Sequence, residues 1–369
     1  MKQLMVHIIL MLFCLTAFSQ TEIDKQTTQQ QYEVALEELV QIATKPTPLS
    51  FKKAVFTVEN VYWDNELDYE LFNKQINTYT QLCKAIVQSR DLLYNEEDKE
   101  TVKIHAAIFW ALTDTIPIQF GDEVVKHEPF TYDFEDFFGQ KDWSKMFVIK
   151  LLNTKTGNCH SLPYLYKILA EELGEEAYLS LAPNHIYIKL KNKQNGWYNT
   201  ELTSGIFPID AWLKSSGYIH MDAIRNGIFM DTLGQQQSIA LCMLDLAQGY
   251  EKKLGINDGQ FILKACETAL KYYPNYVNAM LMKAETQRKI ITERMKVAGA
   301  ETISELFIYS SATQELFNDM EQTYAKIHQL GYRKMPEQMY IDWLVSLQEN
   351  KEKYQNKKII NFTTNTHKR

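Results

Sequence analysis

The chain has 369 residues, of which 45% are hydrophobic and 23% are charged, and its formal net charge at pH 7 is −7. This length and composition are typical of a globular protein that buries a sizeable core in two or three domains. A mildly acidic chain is a poor generic ligand for nucleic acid or for anionic membranes. We therefore expect no nucleic-acid partner.

The first 19 residues have the pattern of a secretory signal peptide. Lys2 precedes an apolar run over residues 4–15, and the small residues Ala17 and Ser19 predict cleavage before Gln20. The apolar run is too short for a membrane span. We therefore predict an exported protein, periplasmic or extracellular, from which residues 1–19 are removed and in which no segment spans the membrane.

Cysteine usage indicates neither a disulfide scaffold nor a zinc ribbon. Cys14 lies in the predicted signal peptide, and the large Phe13 before it disfavours lipidation. The other cysteines are widely spaced and form no Cys-x-x-Cys pair. So few cysteines on helix-like segments are not typical of a disulfide-stapled exported protein, and a Cys242–Cys266 bridge is not predicted. The remaining cysteines are Cys83, Cys159, Cys242 and Cys266.

The N-terminal part of the mature chain is predicted to be a short leader followed by helices. Residues 20–32 are polar and rich in Gln and Thr, which predicts disorder. From residue 33 to residue 115 apolar side chains recur at spacings of three and four, the period of a helix with one buried face. An aromatic and acidic loop follows at 130–147. We expect its aromatic side chains in the core, although a lid over a functional site fits the same pattern.

Residues 239–350 again have a helical period. The stretch "ALKYYPNYVNAMLMKAE", residues 269–285, resembles a tetratricopeptide repeat, and an ordinary helical hairpin explains the same residues equally well. This helical region is a candidate surface for a protein partner. The final segment, 351–369, holds six basic residues and one Glu, and we predict a solvated and frayed basic tail.

The stretch "TGNCHSLPYLYKILAEELG", residues 156–174, places a cysteine where a helix begins. Apolar residues recur at the spacing of one buried helix face, Pro163 is tolerated only in a first turn, and Gly174 suits the position after the last turn. The helix is therefore predicted to start close to Cys159. Free N–H groups and the helix dipole stabilise a thiolate at that position, so Cys159 is the candidate nucleophile.

Three strands are predicted after this helix, and the last two form a hairpin. With a five-residue turn over 192–196, Lys191 pairs with Trp197, and Glu201 becomes the diagonal neighbour of His185 on the same face. A turn one residue longer or shorter would move Glu201 to the opposite face. The alternating segments are "AYLSLA" at 177–182, "HIYIKLK" at 185–191 and "WYNTEL" at 197–202.

Together these residues predict a catalytic triad. Thiol chemistry needs a thiolate, a base that moves its proton, and a group that orients the base. His185 is the candidate base because its ordinary pKa lies near neutrality, and Glu201 is the candidate orienting acid. His160 points about 100° away from Cys159 on a helix and is assigned to the rim of the site. Adjacent ligands from Cys159 and His160 are awkward for one tetrahedral ion, so no zinc site is predicted.

The three segments resemble the transglutaminase-like superfamily, a branch of the papain-like thiol enzymes. The similar features are Gly-x-Cys opening a helix that ends at "LG", a His that begins a strand, and a Trp four residues before an acid followed by x-Thr-x-Gly. By this resemblance Cys159 is the nucleophile, His185 the general base and Glu201 the third member. The positions of the last motif are Trp197, Glu201, Thr203 and Gly205.

The resemblance implies an α+β fold with a transglutaminase-like domain over residues 33–238. The N-terminal part of that domain is helical, and the helical region 239–350 follows it. Two positions depart from the pattern: Glu201 stands where Asp is usual, and Asn184 stands where Gly is usual. The backbone N–H of Cys159 is a candidate oxyanion donor. Gln140 and Trp143 are further candidates for the oxyanion site or the rim.

The sequence thus predicts an exported cysteine enzyme that transfers or hydrolyses acyl groups at peptide or amide bonds of a protein or peptide substrate. No cofactor and no metal are required. Such domains include inactive members, so the alternative is a non-catalytic protein-interaction module on the same scaffold. A structural envelope protein without a ligand is a weaker alternative, and it predicts a closed surface over Cys159.

Overall fold

The computed structural model describes residues 25–44 and 50–359. The predicted signal peptide, the first residues of the leader and the last ten residues of the tail lie outside the described residues. Within the described part, no helix is both long enough and apolar enough to cross a membrane.

Helices dominate the chain on both sides of a small sheet. Residues 25–44 form helix α1. The helices that precede the sheet are α2 (Phe51–Tyr62), α3 (Tyr69–Ser89), α4 (Lys99–Thr113), a 3₁₀ turn (Trp143–Met146), α5 (Val148–Thr154) and α6 (Ser161–Glu172). Those that follow it are α7 (Asp210–Ser216), α8 (Met221–Arg225), α9 (Gln235–Leu254), α10 (Gln260–Tyr272), α11 (Val277–Ala298), α12 (Ile303–Tyr309), α13 (Ser311–Gln329), α14 (Glu337–Glu349) and α15 (Lys351–Tyr354).

The strands form one antiparallel hairpin, one short parallel pair and one three-stranded antiparallel sheet. In chain order they are β1 (Ile116–Phe120), β2 (Glu123–His127), β3 (Thr131–Tyr132), β4 (Thr156–Gly157), β5 (Tyr178–Ala182), β6 (His185–Asn192) and β7 (Gly196–Thr200). β1 pairs with β2, β3 with β4, and β6 lies between β5 and β7. The predicted α+β class is therefore confirmed.

The buried helix α6 lies at the centre of the fold. Leu165 and Leu169 have no exposed surface, and α6 packs against α2, α3, α4 and the strands β5 and β6. Its C-terminal end is as predicted, because Gly174 follows the last turn with φ +80°, in the left-handed region that suits glycine. Every residue from Ser161 to Ala170 is buried, so α6 buries all of its faces and not only the one face that the three-four spacing predicted.

The hairpin register is the predicted one. Lys191 pairs with Trp197 and Ile188 pairs with Thr200, which keeps Glu201 on the face of His185. The ladder continues one pair further than expected, so the connecting loop has three residues, 193–195, instead of five. The side chain of Asn192 accepts the N–H of Asn195 at 2.7 Å and closes this tighter turn.

The predicted disordered leader is wrong for residues 25–32, which form the first part of α1. Tyr32 supplies the physical reason, because its side chain is fully buried. Its ring lies edge-on to Tyr250 and Phe261, with centroids 5.3 and 5.7 Å away. Aromatic packing against α9 and α10 thus outweighs the polar composition of the segment.

The first part of the predicted frayed tail is docked. After α15, the N–H of Asn356 donates to the carbonyl of Phe207 at 2.8 Å, and Pro208 forms an isolated β-bridge with Gln355. Ile359 is completely buried. Main-chain pairing and one apolar anchor therefore hold residues 355–359 on the core, although this segment is rich in lysine.

The boundary predicted at residue 239 falls inside α9, which begins at Gln235. α9 packs against α2, and buried residues of the predicted core domain and of α9, α10 and α14 share one continuous hydrophobic core. α10 and α11 pack together with Pro274 in their connection, an arrangement common to a repeat unit and to a simple hairpin. The four cysteines among the described residues are free thiols.

Candidate active site

The buried side chain of Asn158 organises the start of α6. Its Oδ1 accepts the N–H groups of His160 and Ser161 at 3.0 and 3.1 Å. Its Nδ2 donates to the carbonyls of Phe137 and Lys145 at 3.1 and 3.3 Å. One carboxamide thus satisfies free N–H groups at the helix start and ties them to the loop before the helix. Cys159, which lies between these anchored residues, is held in place by its neighbours.

Cys159 lies one residue before His160, the N-cap of α6, so the helix starts close to the predicted position. Its thiol donates to the carbonyl oxygen of Asn184 at 3.7 Å, and the imidazole of His185 lies close enough to lower the pKa of the thiol. The Cys159 side chain is only 5% exposed. Among the hydrogen bonds of the described residues, none uses the main-chain N–H of Cys159. That N–H is the candidate oxyanion donor predicted from the sequence.

His185 and Glu201 form the second half of the triad. His185 Nε2 lies 2.5 Å from Glu201 Oε2, and both side chains are buried. The other carboxylate oxygen accepts the N–H and the hydroxyl of Thr203 at 2.8 and 2.7 Å. Paired main-chain hydrogen bonds with Ile206 fix the backbone of Glu201. The carboxylate therefore has a single defined orientation towards the ring.

The electrostatics of the three groups favour a thiolate beside an imidazolium. Burial raises the pKa of the Cys159 thiol, but the hydrogen bond and charge of His185, together with the hydrogen bond from Tyr340, more than offset burial and lower it below its usual value. Burial lowers the pKa of His185, and the charge of Glu201 together with the contacts to Cys159 raises it to about 10. The pKa of Glu201 lies below its usual value: burial raises it, and the charge and hydrogen bond of His185 together with the hydrogen bonds from Thr203 more than offset burial.

Tyr340 is a site residue that sequence analysis missed. Its hydroxyl donates to the Cys159 sulfur at 3.2 Å and lies 3.3 Å from His185 Nδ1. Tyr132 approaches the same hydroxyl at 3.5 Å, and the ring of Trp343 packs edge-on to His185 at 4.6 Å between centroids. These contacts place α14 over the dyad. The Tyr340/Trp343 spacing on an amphipathic segment was the only local signal, and it is common in core helices.

A groove of about 430 Å³ runs past Cys159 and His185. One wall is the aromatic loop, where Phe137 and Phe138 pack on the ring of Tyr340, with centroids 5.5 and 5.2 Å away. The opposite wall comes from α9 and α11. The loop is thus both packed against α14 and part of the groove wall. Cys159 lines the groove, although it is only 5% exposed. Residues of the opposite wall are Leu244, Gln248, Asn278, Leu281 and Met282.

The two loop residues proposed for the rim occupy different places. Trp143 lines the groove, but its Nε1 is buried without a hydrogen-bond partner and lies against Gly249 of α9. Gln140 is exposed and is not among the groove residues, and its main-chain N–H donates to Asp136 at 2.7 Å. The structure therefore brings Trp143, and not Gln140, to the site.

His160 lines the groove beside Cys159, as expected for a rim residue, but both of its ring nitrogens are engaged elsewhere. Nδ1 lies 2.9 Å from the carbonyl oxygen of Met146, and Nε2 lies 3.0 Å from Asp245 Oδ1. No group of three or more metal-ligating side chains occurs among the described residues. Cys159, His160, His185 and Glu201 accordingly do not converge on one point.

None of the protein-family models matches this chain, and no curated protein and no solved structure is significantly similar to it.

Proposed function

We propose that this protein is a transglutaminase-like cysteine enzyme that cleaves or transfers acyl groups at peptide or amide bonds. The observation that carries the proposal is the contact between His185 and Glu201, because the same imidazole also interacts with the sulfur of Cys159 at a helix start. A nucleophile, a base and an orienting acid gathered at one site are the parts that thiol-dependent acyl transfer requires. The expected setting is outside the cytoplasm, and the expected substrate is a protein or peptide.

In the first half-reaction the Cys159 thiolate attacks the carbonyl carbon of the scissile amide. A carbon–sulfur bond forms, and the carbonyl oxygen takes the negative charge. The main-chain N–H of Cys159 donates to that oxygen. His185 Nδ1 then gives its proton to the amide nitrogen, the carbon–nitrogen bond breaks, and the amine leaves a thioester on Cys159.

In the second half-reaction His185 acts as the base. It takes a proton from water or from an acceptor amine as that nucleophile attacks the thioester carbon. The tetrahedral intermediate collapses, the carbon–sulfur bond breaks, and the thiolate–imidazolium pair is restored. Water gives a carboxylic acid and an amine gives a new amide. Throughout, Glu201 holds Nε2 of His185 and stabilises the imidazolium.

One observation favours the alternative function, a non-catalytic interaction module. Cys159 is only 5% exposed, and the hydroxyl of Tyr340 lies 3.2 Å from its sulfur. In that case a protein partner would bind the surface of helices α9–α13, and the groove would have no catalytic role. The two functions differ in one measurable property, the reactivity of the Cys159 thiol.

The test is the pH dependence of iodoacetamide alkylation at Cys159, followed by mass spectrometry of the peptide that contains it. We expect rapid alkylation at pH 7 with a midpoint below the usual thiol range, and a loss of at least about tenfold in rate at pH 7 in His185→Ala. The buried Cys83, Cys242 and Cys266 serve as internal references, since burial raises the pKa of each.

The matched control is His328→Ala, which removes an exposed histidine near the end of α13. Its alkylation profile should equal that of the wild type. An ordinary thiol profile in the wild type that His185→Ala does not move would refute the enzyme and leave the interaction module. A depressed midpoint that depends on His185 would justify a screen for amide hydrolysis and for amine incorporation.

A further inference from the structure

The ring of His160 has the hydrogen-bonding pattern of an imidazolium. Its two partners are the carbonyl oxygen of Met146 and the carboxylate of Asp245, at 2.9 and 3.0 Å. Both partners are acceptors, so both ring nitrogens must carry hydrogen to satisfy them. Burial lowers the pKa of His160, and the charge and hydrogen bond of Asp245, with smaller contributions from Met146 and Cys159, raise it above its usual value. The two acceptor partners and the raised pKa both favour the charged form of the ring.

Asp245 is fixed by two residues of the α6 region. His160 contacts Oδ1, and the hydroxyl of Tyr164 donates to Oδ2 at 2.8 Å. The rings of His160 and Tyr164 lie 4.0 Å apart. The Asp245 carboxylate on α9 therefore bonds both to His160, the N-cap of α6, and to Tyr164 within α6. This contact links the C-terminal helices to the start of α6.

The surroundings of this pair contribute little competing charge. Glu59 on α2 shares the small cavity behind His160, and burial raises the pKa of Glu59 to about 8, so it is largely neutral at pH 7. Tyr164 and Cys242, the other titratable neighbours there, remain protonated because burial raises the pKa of each. The charge of Cys159 also raises the pKa of His160, after the larger effects of burial, Asp245 and Met146. Cys159 and His160 are adjacent in the chain and line the same groove.

We propose that Asp245 and His160 form a positioning pair that keeps a permanently charged imidazolium beside the Cys159 sulfur. His185 differs in role, because it gives and takes a proton during the reaction. The inference rests on the proposed function, since it concerns the nucleophile of that reaction. His160 transfers no proton in this scheme. It stabilises the thiolate before substrate arrives, and α9 thereby becomes part of the catalytic unit and not a separate binding domain.

The test compares Asp245→Asn with the wild type in the pH dependence of Cys159 alkylation. Without the carboxylate charge the buried imidazole loses its proton near neutral pH, and we expect the alkylation midpoint to move up by about one pH unit. Glu251→Gln is the matched control, because it removes one acidic charge from the same helix at an exposed ion pair with Lys289. Its midpoint should not move.

Histidine-labelled NMR supplies a second measurement that does not need a variant. His160 should carry two ring protons at pH 7.5 in the wild type, and a neutral ring there would overturn the inference. A wild-type midpoint that depends on His185 but not on Asp245 would also overturn it while leaving the proposed function intact. A wild-type thiol with an ordinary profile would overturn both.

Discussion

The hydroxyl of Tyr340 lies 3.2 Å from the sulfur of Cys159, although 181 positions separate the two residues in the chain. The hydroxyl is the donor in this contact, because burial and the neighbouring sulfur keep the pKa of Tyr340 well above its usual value. A donated hydrogen bond favours the charged form of the thiol. Tyr340 thus covers Cys159 and at the same time favours the thiolate form of its sulfur.

Tyr340→Phe should therefore raise the pH midpoint of Cys159 alkylation. The lost hydrogen bond to a charged group is worth roughly 1.5–3 kcal/mol at most, so a shift of about one pH unit is expected. The ring stays in place, and its packing on Phe138 is retained. Alkylation rates between pH 5 and pH 10 measure the shift. An unchanged or lower midpoint would mean that the hydroxyl only blocks the thiol.

Glu201→Gln should lower the rate of Cys159 alkylation at pH 7 by at least about tenfold. The charge of Glu201 is a main cause of the raised pKa of His185, so its loss removes the imidazolium that holds the thiolate. Glu201→Asp keeps the charge on a shorter side chain and should retain part of the rate. Equal rates for the wild type and for Glu201→Gln at pH 7 would contradict the triad.

Glu59 predicts a distinctive dependence of stability on pH. Its carboxylate accepts the N–H groups of Val148 and Ile149 at 2.6 and 2.9 Å, yet burial raises its pKa to about 8 in the folded state. An acid whose pKa is higher in the folded state than in the unfolded state makes the protein less stable as pH rises between the two values. For Glu59 this range is about 4.5 to 8, and the free energy of unfolding falls by up to roughly 1.4 kcal/mol per pH unit.

Glu59→Gln should remove this contribution. Relative to the wild type, the variant should gain stability steadily between pH 5 and pH 8, even though it loses one of the two cap hydrogen bonds to α5. Urea unfolding of both proteins at four pH values in that range measures the difference. Parallel stability profiles would show that Glu59 is already ionised in the folded protein at pH 5.

Asn158→Ala should lower the free energy of unfolding by about 2–3 kcal/mol. The substitution leaves two main-chain N–H groups of the α6 start and two loop carbonyls without the carboxamide that joins them. Asn278→Ala is the control, because Asn278 is an exposed carboxamide on the groove wall. Chemical denaturation of both variants gives the comparison, and equal losses would argue against the capping role of Asn158.

The parts of the site that local sequence encodes were predictable. Pro163 and Gly174 bracket α6, and strand alternation with a short polar turn sets the register that brings Glu201 to His185. The length of that turn was not predicted correctly, because side-chain closure by Asn192 is a detail that alternation does not contain.

The parts contributed by distant segments were not predictable. Asp245 lies 85 positions from its partner His160, and Tyr340 lies 181 positions from Cys159. Glu59, which caps α5, lies 89 positions from the N–H group that it accepts. Helical periodicity identifies which face of α9 or α14 is buried, but not which surface that face meets. The segment 25–32 illustrates the same limit, since a single buried Tyr32 outweighs a composition typical of disorder.

The position of Tyr340 so late in the chain has a consequence for biosynthesis. Cys159, His185 and Glu201 leave the ribosome long before the helix that covers them. At about 5–20 residues per second, the 181 residues between Cys159 and Tyr340 take roughly 10–40 s to make. During that interval the Cys159 thiol of the nascent chain is not covered by Tyr340. The docking of α14 is the step that covers it.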